Sequence, residues 1–328
     1  MAYTISGSPY IGSNQSPAYT GIFIPTLWSG KLVEKFYAAT VLGAIANTDY
    51  EGEIKNQGDT VKIRTRPTIT IADYEVNQAL TVQRPSSNLV ELTIDKGKYF
   101  NLALDDVMEV QADLDLLSLW AEDASEQMKI AVDSQVLTSL STTTDINASN
   151  RGNAAGALSA NIRLGLGGNP LYLGAAAAGT GVGNDTSNEM SVLDAIVNFG
   201  QVLDEQNIPE TGRWLVLPAW ACAMIKKSDL KDASLSGDGT SILRNGRLGM
   251  IDRFTIYLSN QLPVDGSYSS HYSIFFGTNA ALTFAAQFTK METLRSESSF
   301  STLVRGLQVY GYKVVNGVAM ARAVIAKG

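Results

Sequence analysis

The stretch from Asp105 to Leu140, with Leu104 before it, reads LDDVMEVQADLDLLSLWAEDASEQMKIAVDSQVLTSL. No Gly or Pro falls between Lys98 and Arg151, so nothing in the sequence breaks a helix there. Leu114, Leu117, Ala121, Ala124, Met128 and Ala131 recur three and four apart, which puts them on one helical face. Asp113, Glu122, Asp123, Glu126 and Asp133 fall mostly off that face, and such residues are expected to be solvated rather than catalytic. Acidic residues crowd the expected first turns (Asp105, Asp106, Glu109, Asp113, Asp115), where the positive end of the helix dipole favours them. At about 1.5 Å per residue the final ~26 residues would span roughly 40 Å. A helix of that length in a chain of 328 residues is a strut.

The rest of the composition narrows the classes of function. The length suits two domains or one elaborated domain, with ample material for a core. Hydrophobic residues make up 45% and charged residues 17%, so the chain is globular with a sparsely charged surface. That surface suits a subunit covered by other subunits, and it also suits a bland secreted protein. The net charge of −7 argues against a dedicated nucleic-acid binder, because phosphate contacts need clustered Lys and Arg.

Cys222 is the only cysteine, which excludes an internal disulfide and a cysteine metal cluster; its apolar run, Trp220 to Ile225, reads as a buried thiol. His271 is the only histidine, so an HExxH motif or a multi-histidine metal site is excluded. A soluble hydrolase would have to rest on His271 and lacks a Gly-x-Ser-x-Gly elbow. No enzymatic activity, cofactor or metal is expected. The first residues lack the basic and apolar regions of a signal peptide, and no apolar run approaches membrane-spanning length, so a cytosolic product is expected.

Residues 1–20 are rich in Ser, Gly, Pro, Asn and Tyr and read as an arm ordered only by neighbours. Leu32, Val33, Phe36 and Tyr37 fit a short amphipathic helix, followed by apolar Val41 to Ala46. From Thr60 to Arg66 the residues alternate strictly, Val61, Ile63 and Thr65 against Lys62, Arg64 and Arg66. A return strand, Asn88 to Asp95, sets Val90, Leu92 and Ile94 against Glu91 and Asp95. Paired, the two would align cations with carboxylates across the ladder. Such an arm is marginal unless it lies on another surface, so Lys62, Arg64, Arg66, Glu91 and Asp95 are candidates for contacts with another subunit rather than with DNA.

Residues 145–190 are Asn-, Gly- and Ala-rich; their Gly runs lack both the dinucleotide-binding and the Walker spacing and read as a plain loop. Order resumes with a helix from Val192 to Leu203 capped by Ser191, a buried strand Arg213 to Leu217 and a helix Ala219 to Lys226. Strands follow around Phe254 to Leu258 and Tyr272 to Phe276. The end of the chain is β again, with Asn316-Gly317 between alternating runs, the signal of a hairpin. That hairpin is expected to join the first domain, beside the long helix and the base of the arm.

Ile24-Pro-Thr-Leu-Trp-Ser29, Tyr50-Glu-Gly with Gly58 to Ile63, Leu104-Asp-Asp-Val through to Asp133, Gly212 to Pro218, Gly249 to Asn260 with Leu262-Pro263, and Val309 to Lys313 carry a further signal in their order. Over nearly the whole chain that order resembles the major capsid proteins of tailed bacteriophages. The resemblance implies an α+β Hong Kong-97-type fold. Its parts would be an N-terminal arm (1–20), a short helix and connection (21–49), an extended β-hairpin loop (50–95), a peripheral domain with a long spine helix (96–144), a Gly/Ala-rich insertion (145–190), an axial domain (191–295) and return strands of the peripheral domain (296–328). Arg253 stands where the family pattern has a glycine before Phe254.

What the resemblance implies about function is a structural one. Copies would assemble as pentamers and hexamers into an icosahedral head around double-stranded DNA, bound without sequence specificity and with no membrane. The hairpin would lie across a neighbour, the N-terminal arm would reach another, and Trp28 joins the contact candidates. Loops near 228–246 would meet at the capsomer axis, and the acidic helix on the inner wall would repel DNA. A separate scaffolding protein, a portal and decoration proteins are the implied partners, the shell being assembled in host cytoplasm and ending in the virion. Lys55 and Lys62 are the lysines placed for an inter-subunit crosslink, which is not expected here. An encapsulin-like compartment shell is the alternative on the same fold.

Overall fold

The computed structural model describes residues 37–38, 40–49, 60–67, 69–87, 89–106, 116–228, 249–265, 268 and 270–328. The N-terminal arm, the helix expected at 32–37 (Tyr37 apart) and most of the 228–246 loop lie outside them.

Alternation does what it predicts in the hairpin. β1 (Thr60–Arg64) and β2 (Leu89–Thr93) pair antiparallel with Val61 opposite Leu92 and Ile63 opposite Val90. One face therefore carries the apolar side chains, and Ile63, Leu92 and Ile94 pack with Ala285 and Val309 as a small cluster of their own. β3 (Lys96–Asp105) follows at once. The expected helix start is displaced by one residue: Asp105 ends the strand and Asp106 is helical. Phe100, Leu102 and Leu104 alternate with Asn101, Ala103 and Asp105, and that period of two decides the conformation.

The long helix α2 (Leu116–Thr142) is described from Leu116, and Glu109, Asp113 and Asp115 lie outside the described residues. Its 27 residues give a rod of roughly 40 Å. The buried stripe differs from the expected one: Val132, Val136, Leu137 and Leu140 are in the core, whereas Ala131 is exposed. Asp133, expected on the solvated side, is buried beside them. The reason is a polar partner. Its Oδ1 accepts the backbone N–H of Leu42 at 3.0 Å, at the start of the short helix α1 (Leu42–Ile45), and both carboxylate oxygens stand 3.4 Å from the N–H of Val41.

Three strands, in the order β10-β11-β3, form the sheet beside this helix. β10 (Leu282–Arg295) and β11 (Ser301–Val314) are a long hairpin, and β11 pairs with β3 from Tyr310–Lys96 to Ser301–Asp105. Tyr310 is buried and donates its hydroxyl to Gln135 on α2 at 2.7 Å.

Among the described residues the second sheet has seven strands, ordered β5-β4-β12-β9-β6-β8-β7. They are β4 (Leu171–Gly174), β5 (Met190–Ser191), β6 (Arg213–Leu217), β7 (Met250–Ile251), β8 (Phe254–Leu258), β9 (His271–Thr278) and β12 (Met320–Lys327). Helices α3 (Val192–Glu205) and α4 (Ala219–Lys227) belong with this sheet; Ser191 caps α3 through Leu193 as expected. One continuous core runs from α3 and α4 through the sheet to the C-terminal half of α2.

Two further expectations change. Residues 145–190 are not a bare loop: Leu164, Leu171 and Leu173 are buried, and β4 pairs parallel to β12. Gly165 explains some of the glycine content, since at φ +79° a β-carbon there would strike the carbonyl oxygen of Val324 on β12. The hairpin expected at Asn316-Gly317 does not form. β11 stays in the three-stranded sheet while β12 pairs with β9 in the large one. Every residue of β12 from Met320 to Ala326 except Arg322 is buried, which suits a strand inside a covered sheet and not one half of a surface hairpin.

Candidate assembly interface

Beyond Arg64 the ladder stops and the arm continues as two extended legs. Among the described residues, the backbone from 69 to 87 makes few hydrogen bonds. The N–H of Gln78 donates to the Glu75 carbonyl at 3.1 Å, closing a turn in which Asn77 takes φ +67°. Gln83 clasps the other leg, accepting the Thr70 N–H at 3.1 Å and donating Nε2 to the Thr70 carbonyl at 2.5 Å. Along these legs Ile71, Val76, Leu80 and Val82 are between 78% and 89% exposed. Apolar side chains grouped this way on a projecting element mark a contact surface. The alternation of Ile69 and Ile71, and of Leu80 and Val82, was the available sequence signal, and among the described residues nothing covers either row.

The charged candidates are brought together only in part. Lys62 Nζ stands 3.6 Å from Glu91 Oε1 across the ladder, both side chains more than half exposed. Such a pair contributes at most about 1 kcal/mol. Arg64 is opposite Leu89 rather than an acid, Arg66 lies beyond the last ladder pair, and Asp95 turns to its neighbour Lys96 at 2.7 Å. Trp28 and Lys55 lie outside the described residues.

A second surface was not legible in the sequence. On the three-stranded sheet an open groove of about 510 Å³ is lined by Tyr99, Phe100 and Leu307 and by Lys290, Glu292 and Arg305. Leu307 stands between Tyr99 and Lys290 in one cross-strand row, and Arg305 between Asn101 and Glu292 in another. Arg305 Nη2 is 3.1 Å from Glu292 Oε2, and Lys290 pairs with the same carboxylate. At the root of the arm a smaller polar cleft holds Lys96 over the Tyr312 ring at 4.8 Å and the Lys313–Asp145 pair at 2.7 Å.

His271, Cys222, Arg213 and Asp204 are engaged in structure. His271 is buried, its Nδ1 is 2.6 Å from the Gly167 carbonyl and its ring stacks on Tyr268 at 4.5 Å. Because a carbonyl only accepts, the proton sits on Nδ1 and the ring fastens a loop to β9. Cys222 is buried, and burial pushes its thiol up to about 11. Arg213, fully buried, donates to Asp204 at 2.7 Å and to the Pro209 and Ile208 carbonyls. Arg253 holds the other oxygen of Asp204 at 2.9 Å. Burial alone would raise the Asp204 carboxyl, but the two guanidinium groups outweigh it and hold it below the usual carboxylate range. Among the described residues no group of His, Cys, Asp and Glu is arranged to hold a metal ion, and no helix is long and apolar enough to cross a membrane.

Comparison with solved structures finds the same architecture over nearly the full chain. A structure from Mycobacterium phage Che8 matches with a TM-score of 0.70 at 25% identity, covering 94% of this chain and 98% of that one. The capsid structure of the cyanophage P-SCSP1u matches with a TM-score of 0.69 at 15% identity, covering 97% of each chain. The mature capsid of bacteriophage PhiM1 matches with a TM-score of 0.67 at 13% identity, covering 98% and 99%. No curated protein sequence matches. The model of the phage capsid protein family matches residues 89–326, from the second strand of the arm to the last strand of the large sheet. With the fold of phage capsids and a family match across most of its length, this chain belongs to the phage capsid protein family.

Proposed function

We propose that copies of this capsid subunit grip one another with the 60–93 arm and close, as pentamers and hexamers, into an icosahedral head around double-stranded DNA. The observation that supports this is the arm itself. Its paired root is anchored through Ile63, Leu92 and Ile94, while Ile71, Val76, Leu80 and Val82 stand in solvent. Exposed apolar surface costs about 25 cal/mol per Å², so a neighbour that covers the arm gains what the lone subunit forgoes. Large buried area per copy, rather than a single bond, then holds the shell.

The packaged DNA would touch the shell without sequence-specific contacts, consistent with the net charge of −7. A separate scaffolding protein, a portal and decoration proteins complete the proposed partners, with assembly in host cytoplasm. The chain's work is structural, carried by surfaces rather than by a reacting group.

Sedimentation of the expressed chain, followed by electron microscopy of the fast fraction, tests the reading. Closed shells are expected, and Ile71→Asp with Val82→Asp should leave folded subunits that sediment slowly. Shells formed equally well by the double variant would overturn the role given to the arm. Protein cargo in place of nucleic acid inside native particles would favour the compartment reading instead.

A further inference from the structure

We propose that the cleft between α3 and the Gly/Ala-rich insertion is a binding site for an acidic sugar, a ring bearing both hydroxyls and a carboxylate. The cleft has a volume of about 490 Å³, and Arg163, Asn153, Asn161, Asn198 and Gln201 supply its polar side chains. The proposal is independent of how copies of the chain assemble.

Arg163 sets the charge of the site. Its Nε donates to the Gly183 carbonyl at 3.2 Å, and its Nη2 donates to the Asn169 side chain at 2.5 Å and the Pro170 carbonyl at 2.9 Å. Those partners are neutral, and among the described residues no carboxylate pairs with this guanidinium and none of these bonds uses Nη1. Burial pulls its pKa below the usual guanidinium range, a cost that a bound carboxylate would offset.

The amides ask for a different group. Asn153 Oδ1 is buried without a partner. Gln201 gives its Nε2 to Glu205 at 2.9 Å, and because a carboxylate only accepts, its Oε1 is the end left over. Asn198, three residues earlier on the same face of α3, gives its Nδ2 to the Met190 sulfur at 3.5 Å and likewise keeps its oxygen. Carbonyl oxygens are satisfied by hydroxyls and not by an anion, so a bare phosphate would engage Arg163 and leave them unmet. No lining residue is acidic, which leaves a metal cation no ligand, and none is aromatic, which leaves a nucleobase no ring to stack on. Ile162 and Val182 give the C–H face of a sugar ring something to rest against. The site is largely pre-formed: Ala155 and Ile162 exchange both backbone hydrogen bonds, at 2.9 and 3.0 Å, and so fix the segment that carries Asn153 and Asn161.

Saturation-transfer NMR of the full chain with methyl β-D-glucuronide tests the assignment. Transfer to the ring protons is expected, and the neutral methyl β-D-glucoside should bind about tenfold more weakly for want of the charged hydrogen bond. No transfer at about 20 mM glucuronide, or equal binding of the glucoside, overturns the proposal. Displacement by an equal concentration of inorganic phosphate also overturns it, since the site would then take a bare anion. A linear oligomer of the same acid tells the two sources apart: transfer retained in the oligomer supports a unit of a polysaccharide, and transfer confined to the monomer supports the free sugar. Arg163→Gln should abolish binding. Because Arg163 also holds neighbouring carbonyls, Asn161→Ala is the second variant: the side chain is exposed, so the fold should keep its melting temperature while binding weakens about fivefold. Unchanged binding in a folded Asn161→Ala, Gln201→Ala double variant would overturn the proposal whatever becomes of Arg163→Gln.

Discussion

Asp133 on the long helix accepts the backbone N–H of Leu42 at 3.0 Å, across 91 residues of sequence. The carboxylate is buried among Val132, Val136 and Leu137 and supplies the acceptor that the start of α1 lacks, since Val41 provides no side-chain cap. Burial raises its carboxyl above the ordinary range, and the Leu42 and Val41 N–H groups counter only part of that. The sign follows from linkage. The folded state holds the proton more tightly, so this group's contribution is fully present below the unfolded pKa and is lost as pH rises through the raised folded value. Asp133→Ala should cost about 1–3 kcal/mol by leaving buried donors unmet. Asp133→Asn should cost less at pH 7, and should gain on the wild type as pH rises through the folded pKa. Urea unfolding of the dissociated subunit between acid and neutral pH measures both.

Gly311 governs how closely the arm crosses its own sheet. A β-carbon there would stand 3.0 Å from the α-carbon of Ile94 and would strike the carbonyl oxygen of Thr93. Both are backbone atoms and cannot rotate aside. Gly311→Ala should therefore lift the root of the arm off β11 and cost about 1–3 kcal/mol, the range for overpacking. The effect should be local, because the small cluster of Ile63, Leu92 and Ile94 is separate from the main core. Hydrogen exchange should quicken at 89–94 and not in the seven-stranded sheet. Gly43→Ala, where a β-carbon meets nothing within 4 Å, is the matched control.

Acid should loosen the large sheet's helix α3 from two neighbours at once. Glu205 accepts the N–H groups of Ser159 and Leu158, which hold its carboxyl down at about 2. Asp204 is also depressed, though burial opposes the two guanidinium groups. For a depressed carboxyl, the stability is present above the unfolded pKa and is lost as pH falls through the folded one. The loss from Glu205 should run from about pH 4.5 down to about 2. Asp204→Asn would leave Arg213 charged and buried. Breaking a fully buried pair costs about 3–5 kcal/mol, and the solvent exposure of Asp204 trims this to about 1–3. Thermal melts of the wild type, Asp204→Asn and Glu205→Gln across that window should show the acid slope shrinking in each variant.

Local periodicity made much of this fold readable. Alternation gave β1 and β2 with their faces correct, and the cap at Ser191 gave α3. The misreadings share a physical cause. Asp105 looked like a helix start because acids suit a first turn, yet the strand of Phe100, Leu102 and Leu104 runs through it and helix begins only at Asp106. Asn316-Gly317 looked like a hairpin, but which sheet β12 enters is decided by the continuous burial of Met320 to Ala326, a property of distant partners. Asp133 looked solvated because its acceptor role depends on Leu42. The groove at Tyr99 and Leu307 joins strands some 200 residues apart (307 − 99 = 208), and no local pattern could announce it.

Arg253 offers a last test, because two effects of similar size oppose each other there. The turn between β7 and β8 puts Asp252 at φ +43° and Arg253 at φ +66°, the left-handed region in which glycine is free of strain. A side chain in that conformation costs about 1–2 kcal/mol. Against this, the guanidinium reaches Asp204 at 2.9 Å and Glu210 at 2.8 Å, partly exposed pairs contributing about 0–1 kcal/mol each. Arg253→Gly should thus change stability by less than about 1 kcal/mol. In an Asp204→Ala background one of the opposing pairs is already gone, and the same substitution should be more favourable. A double-mutant cycle by urea unfolding isolates that coupling. A loss above about 2 kcal/mol for the single glycine variant would mean that the ion pairs, not the backbone, dominate the turn.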